Sequence, residues 1–146
     1  MNDWLYDDVK FTTDDIGDAI GFVYRITNTQ NGMDYIGKKN FWRKVTKPPL
    51  KGKKRKRRSI VESDWQVYHG SSNKLLSDID GYGYDAFNRE ILCLCTSKSM
   101  MSYIELWYQM KEGVLFSDMS YNGIINIRIN SSAIKKDKEF ILNETK

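Results

Sequence analysis

The sequence predicts a small α+β sandwich with antiparallel pairing at its start. Three observations carry that fold class. "GFVYRITN" places Phe22, Tyr24 and Ile26 on one face and Val23, Arg25 and Thr27 on the other, the period of a strand. Asn31-Gly32 follows, a strong short hairpin signal because a type I′ turn needs positive φ at both positions. Farther along, apolar residues recur at helical spacing, giving the order ββ, helix or helices, β, helix and a last extended piece.

The first twenty residues, "MNDWLYDDVKFTTDDIGDAI", contain six aspartates and one lysine, a local balance of −5. They are expected to form an acidic N-terminal extension that packs beside the domain and neutralises part of the basic segment. "MDYIG" returns as the second strand of the hairpin. Residues 38–58 then hold twelve of the 23 Lys and Arg and no acid. Pro48-Pro49 and Gly52 interrupt this stretch, so it reads as a loop without regular structure. "RRSIVESDWQVYHG" spaces Ile60, Val61, Trp65 and Tyr68 as one helical stripe. "SSNKLLSDIDGYG" reads as a helix capped by Ser71 or Ser72, with Leu75, Leu76 and Ile79 inside and Gly81 as its stop. "AFNREILCLC" is a third strand. "TSKSMMSYIELWYQMKEG" is a long helix turning Met100, Ile104 and Trp107 inward and ending at Gly113. "SYNGIINIRI" is turn-like and then β-branched, and residues 131–146 read as a frayed tail.

The chain has 146 residues, 40% of them hydrophobic and 13% aromatic, enough for one domain with its own core. No apolar run approaches the roughly 18 residues of a membrane span. The first residues lack the pattern of a signal peptide, so no membrane partner is expected and the cytoplasm is the default compartment. Cys93 and Cys95, two apart on a strand, read as buried packing residues that cannot form a disulfide with each other. With His69 the one histidine, a Cys/His zinc site lacks ligands. The basic segment suits a polyanion: Lys38, Lys39, Arg43, Lys44, Lys53, Lys54, Arg55, Lys56, Arg57 and Arg58 would bind phosphates, with Phe41 and Trp42 interleaved at its start. Glu105 stands out because it sits in the most apolar helix, flanked by Ile104, Leu106 and Trp107. A carboxylate there needs a partner, and a divalent metal would supply one; a boundary glutamate at the stripe's edge is the alternative.

"FVYRITNTQNGMDYIG" resembles the defining motif of the GIY-YIG nuclease family, with its two triplets as Phe22-Val23-Tyr24 and Tyr35-Ile36-Gly37. The similarity extends through "KGKKRKRR", "ESDWQVYHGSSNKLL", "FNREIL" and "SYIELWYQM" to the Seg-type homing endonucleases of tailed phages. The resemblance implies a three-stranded antiparallel sheet flanked by helices, spanning residues 21–130 with a basic insertion at 38–58. It implies hydrolysis of a DNA phosphodiester with one divalent ion, Mg²⁺ or Mn²⁺, and, for a phage protein, a place in the host cytoplasm. Tyr24 becomes the candidate general base or water-orienting group, and Tyr35 a hydrogen-bond donor to the phosphate or water. Glu105 becomes the metal ligand, and Asn122 a polar residue near the site or a plain turn residue. The family's arginine transfers to Arg57, preferred as helix-borne, or to Arg43. His69 lies one position from a histidine of some relatives and otherwise reads as a surface residue at a helix end.

Phe22 departs from the family's glycine, although Gly21 precedes it, and no separate DNA-binding domain follows. The leading expectation is a DNA endonuclease acting on double-stranded DNA. A nucleic-acid-binding protein on a degenerate nuclease scaffold, or a nuclease for branched DNA or RNA, are the alternatives. One site cuts one strand, so a double-strand break requires a transient dimer on DNA or two successive cuts; the oligomeric state stays open.

Overall fold

The computed structural model describes residues 1–146. A five-stranded sheet runs in the order β2-β1-β7-β3-β4, where β1 is Trp4–Tyr6, β2 Val9–Lys10, β3 Gly21–Asn28, β4 Asp34–Asn40 and β7 Phe87–Cys95. β3 is antiparallel to both β4 and β7, so the expected three-stranded antiparallel unit is present. β1 joins β7 in parallel and β2 folds back on β1, which raises the sheet to five strands. The reason lies in Trp4. Its indole is 2% exposed, meets Phe22 and Tyr24 edge-on, and donates to the Trp65 carbonyl at 2.7 Å. The acidic opening therefore builds part of the sheet, and Asp7 and Asp8 form the turn between β1 and β2 at positive φ.

The β3–β4 connection is longer than the two-residue turn that Asn31-Gly32 suggests. Residues 29–33 form it, and only Gly32 takes positive φ, at 76°. Asn28 and Asn31 side chains each accept a backbone N–H two residues on, which stabilises this wider loop.

Two expectations for residues 42–62 are overturned. β5 (Trp42–Lys47) and β6 (Arg57–Glu62) pair as a separate antiparallel ribbon, in place of a loop followed by a helix. Pro48-Pro49 lies beyond the ladder, where it removes no strand hydrogen bond. Ile60 is 67% exposed while Trp65 is fully buried, so the apparent helical stripe is no stripe.

Helix α1 (Asn73–Tyr82) starts at Ser72, whose hydroxyl accepts the Leu75 N–H, and it buries Leu75 and Ile79. Leu76 points outward, and the helix runs past Gly81 to end at Gly83, φ 86°. Helix α2 (Lys98–Lys111) is capped by Ser97 and buries Met100, Met101 and Ile104; Trp107 is only half-buried. Gly113, φ 59°, follows its end. The tail is ordered: α3 (Ser131–Ile134) and α4 (Lys138–Glu144) pack on α2, and Ile141 is buried.

One core lies on each face of the sheet. Phe22, Tyr24, Phe41, Trp65 and Phe87 form an aromatic cluster with Trp4, Leu75 and Ile79 on one side. Val23, Ile36, Cys93, Met101 and Ile104 pack under α2 on the other. Both cysteines are free, buried thiols. Phe22 fills the aromatic core, and the glycine requirement falls on Gly21, where a Cβ would meet the Lys39 carbonyl and Met101 sulfur at 2.6 Å.

Candidate active site

β4 is one edge of the main sheet, bridged to Ser120 at Asp34 and open beyond it, and the site forms where both faces can reach it. Tyr24 on β3 stands opposite Gly37 on β4. A Cβ on Gly37 would lie 2.5 Å from the Tyr24 hydroxyl and 2.9 Å from the Tyr35 ring. Glycine at this position is what allows the two tyrosines to converge, with ring centroids 6.1 Å apart. Gly70 also lies close to Tyr35, where a Cβ would come within 3.2 Å of the ring, and its positive φ suits the tight turn leading to Ser71. The Tyr35 hydroxyl lies 3.3 Å from the Ser71 hydroxyl. Tyr68 stands perpendicular to Tyr24, 6.0 Å between centroids, and Lys39 sits 4.1 Å over the Tyr68 ring while pairing with Asp64 at 2.6 Å. Buried Arg89 fixes this segment by donating to the carbonyls of Gln66 and Tyr68.

From the opposite face, α2 presents Ser102, Glu105 and Gln109 toward the same edge, a spacing that puts them on one side of a helix. Glu105 is 8% exposed and makes no salt bridge; burial raises its carboxyl to about 7, with Lys38 opposing. Lys38 donates to the Ser102 hydroxyl at 2.8 Å. Gln109 donates to the Ile36 carbonyl at 3.1 Å and leaves its own buried carbonyl oxygen without a partner. Asn122 also grips Ile36, accepting its N–H at 3.0 Å and donating to its carbonyl at 2.8 Å. It acts there as a short substitute for a neighbouring strand, holding the residue between Tyr35 and Gly37 in place. Together these groups line a cleft of about 360 Å³ with Tyr35, Ser71, Glu105, Gln109 and Asn122 in its walls.

Burial, then the nearby Tyr68, Tyr35 and Glu105 side chains, push the Tyr24 hydroxyl well above its ordinary range. Tyr35 is raised by burial as well, and its contact with Ser71 opposes that. Both tyrosines hold their protons at neutral pH unless a cation enters the cleft. The oxygen donors Glu105 and Gln109 suit a hard divalent ion, and one carboxylate with waters and a phosphate suffices for Mg²⁺. No cluster of three or more Asp, Glu, His or Cys exists that could cage a metal without substrate.

A family profile described as "Putative endonuclease segE, GIY-YIG domain" matches residues 4–125. The chain belongs to the SegE GIY-YIG family. No curated protein and no solved structure matches it. The SegE match begins at Trp4 and so includes β1 and β2 within the nuclease domain.

The SegE-family fold brings Tyr35, Glu105 and Asn122 together in the cleft wall, with Tyr24 buried in the aromatic core beside Tyr35, and leaves the other expected site residues outside the cleft. Arg57 lies on a strand, paired with Lys47 at the outer end of the ribbon, and donates to the Pro48 carbonyl. The helix that favoured it over Arg43 is absent. Arg43, at the ribbon's base, lines a neighbouring trench with Lys38, Lys39, Lys98 and Ser102. His69 is buried, not on the surface: its Nδ1 lies 2.8 Å from the Val67 carbonyl, its ring meets Tyr84, and burial lowers it to about 4. Arg25 is held by Asp34, Glu90 and Glu112, so it offers nothing to a phosphate. Lys38 is the cation acting on Glu105. Sequence reasoning missed Tyr68, Ser71 and Gln109. The first two sit in "VYHGSS", where a helix end was expected.

Proposed function

We propose that this SegE-family chain is a metal-dependent endonuclease that hydrolyses a phosphodiester of double-stranded DNA in the cleft between Tyr35 and Glu105. The observation that carries the reading is Glu105: a desolvated carboxylate with no salt bridge, close enough to raise the hydroxyls of the two tyrosines that converge at Gly37. Glu105 would hold one Mg²⁺ or Mn²⁺, in a cleft whose wall also includes Gln109. When bound, such an ion withdraws charge from the phosphate and stabilises the leaving 3′ oxygen.

The chain's own groups do the rest. Tyr35 and Ser71 supply hydroxyls at the cleft wall to orient a phosphate oxygen or the attacking water. Lys38, bound to Ser102, brings the fixed positive charge that an arginine would otherwise provide; its loss should cost about 10²–10³ in rate. Tyr24 orients the water, and it becomes a base only when cations in the loaded cleft lower its raised hydroxyl. Water adds to phosphorus, the P–O3′ bond breaks, and the proton passes to the departing oxygen, leaving 5′-phosphate and 3′-hydroxyl ends. A long homing-type target and a branched duplex present the same phosphodiester to these groups.

Supercoiled plasmid incubated with the protein and Mg²⁺ tests the reading. Nicked circles are expected with metal, and intact plasmid with EDTA or with Glu105→Gln. Intact plasmid under all conditions, beside a salt-sensitive gel shift, would make the protein a binder that has lost catalysis.

A further inference from the structure

The β5–β6 ribbon is a projecting arm. Its two strands share their substantial contacts with each other and with no other element. Between residues 42 and 62 it carries ten Lys and Arg and a single acid, Glu62, whose carboxylate already accepts from Thr13 and Trp65. None of these ten cations takes part in a salt bridge. A two-stranded hairpin is marginal in water by itself, and ten uncompensated charges repel one another. Such an element adds nothing to the core and needs an external polyanion.

Register decides how that polyanion lies. Opposed residues share a face, so Arg43, Lys47 and Arg57 lie on one side and Lys44, Arg58 and Ile60 on the other. A ribbon that lay flat on a charged surface would use one face and leave the second set of cations in water. Cations on both faces and at the tip fit anions on both sides, and a DNA groove supplies them as two phosphate walls. The major groove, about 12 Å wide, admits a two-stranded ribbon.

We infer that the ribbon inserts into a groove of duplex DNA beside the cleaved phosphate and fixes how far from that anchorage the cut falls. This rests on the endonuclease reading. Trp42 and Arg43, at the ribbon's base, line the trench that also contains Lys38 and Ser102, so the arm starts next to the cleft. Six residues of strand reach about 20 Å. At about 3.4 Å per base pair along the duplex, the arm covers roughly six base pairs on one side of the cut.

The test uses the full chain carrying Glu105→Gln, so that bound DNA stays whole, and hydroxyl-radical footprints on a linear duplex. A second protein has residues 44–60 replaced by Asn-Gly, a turn that joins the paired Arg43 and Val61 and removes four of the six strand pairs. A third carries Lys47→Ala, Arg57→Ala and Arg58→Ala at unchanged arm length. The shortened arm should withdraw the footprint by several base pairs on one side only. The triple variant should lower the slope of log affinity against log salt by about 2 to 3. A footprint of the same extent with the shortened arm overturns the proposal, as does equal loss of binding to single-stranded DNA, RNA or anionic vesicles. The footprint does not depend on cleavage. If it withdraws while the parent chain never nicks DNA, the arm stands and the endonuclease reading falls; nicking with an unmoved footprint removes the arm alone.

Discussion

At the residue scale, the site stores free energy in Glu105. Its carboxyl titrates near 7 in the fold against an ordinary 4.5, raised mainly by burial. For a carboxyl raised in this way, the stabilising contribution is full below pH 4.5 and is lost as pH rises through 7. The difference corresponds to about 3 kcal/mol that the metal-free protein forgoes at pH 8. Glu105→Gln should therefore stabilise the metal-free chain at pH 8, by up to that amount, and change it little at pH 4. Urea unfolding of both proteins at the two pH values measures this, and an equal effect at both would refute a desolvated carboxylate. Cleavage in Mg²⁺ should rise with pH toward and through 7, since the ion requires the ionised form.

The glycines provide a second contrast at this scale. Gly37→Ala drives a methyl group to 2.5 Å from the Tyr24 hydroxyl, so it should cost about 1–3 kcal/mol and most of the nicking rate. Gly81→Ala lies in α1 with no atom within 4 Å of its Cβ and no positive φ, and should stabilise by about 1 kcal/mol. Thermal melts of the pair, read beside plasmid nicking, separate the site glycine from a spare one. A fully active, undiminished Gly37→Ala protein would mean that the tyrosines need not converge.

At the element scale, legibility followed periodicity. β3, β7 and α2 were readable because each has a repeating apolar pattern, with a Ser97 cap on α2, and β4 because a turn signal precedes it; they carry Tyr24, Tyr35 and Glu105. The β5–β6 ribbon was not readable: none of its twelve strand residues is buried and eight are exposed, so no buried face imprints alternation on its sequence. The "VYHGSS" segment was misread for another reason. Its shape comes from Arg89 and Tyr35, distant in sequence, and local spacing says nothing of them. Asn122 shows the same limit. As a turn residue it seemed optional, yet its amide satisfies both backbone groups of Ile36 on the sheet's open edge. Asn122→Ala should leave that N–H unpaired, cost about 1–3 kcal/mol and lower the nicking rate. Amide exchange at Ile36 should quicken more than at Val23, deep in the sheet; equal protection at both would return Asn122 to the rank of a turn residue.

At the scale of the whole molecule, the question is whether the acidic opening is a detachable counter-charge or part of the nuclease. No acid among residues 1–20 forms an ion pair with the basic ribbon: Asp3 pairs with Lys10, and Asp15 bonds the backbone and hydroxyl of Thr12. The segment instead supplies two strands and, in Trp4, Phe11 and Ile16, part of the aromatic core that backs Tyr24. Arg89 ties Trp4 to the "VYHGSS" segment, stacking 4.7 Å from its ring while donating to the Tyr68 carbonyl. Removing Trp4 thus loosens Tyr68 as well as the core. Trp4→Ala should cost about 3–5 kcal/mol, a large part of the roughly 5–15 kcal/mol that holds a domain of this size. Deleting residues 2–18 should leave no cooperative thermal transition, and no nicking for want of a folded site. A truncated chain that melted like the parent and bound DNA more tightly would restore the counter-charge role. The expected result would place the domain's first boundary ahead of Trp4.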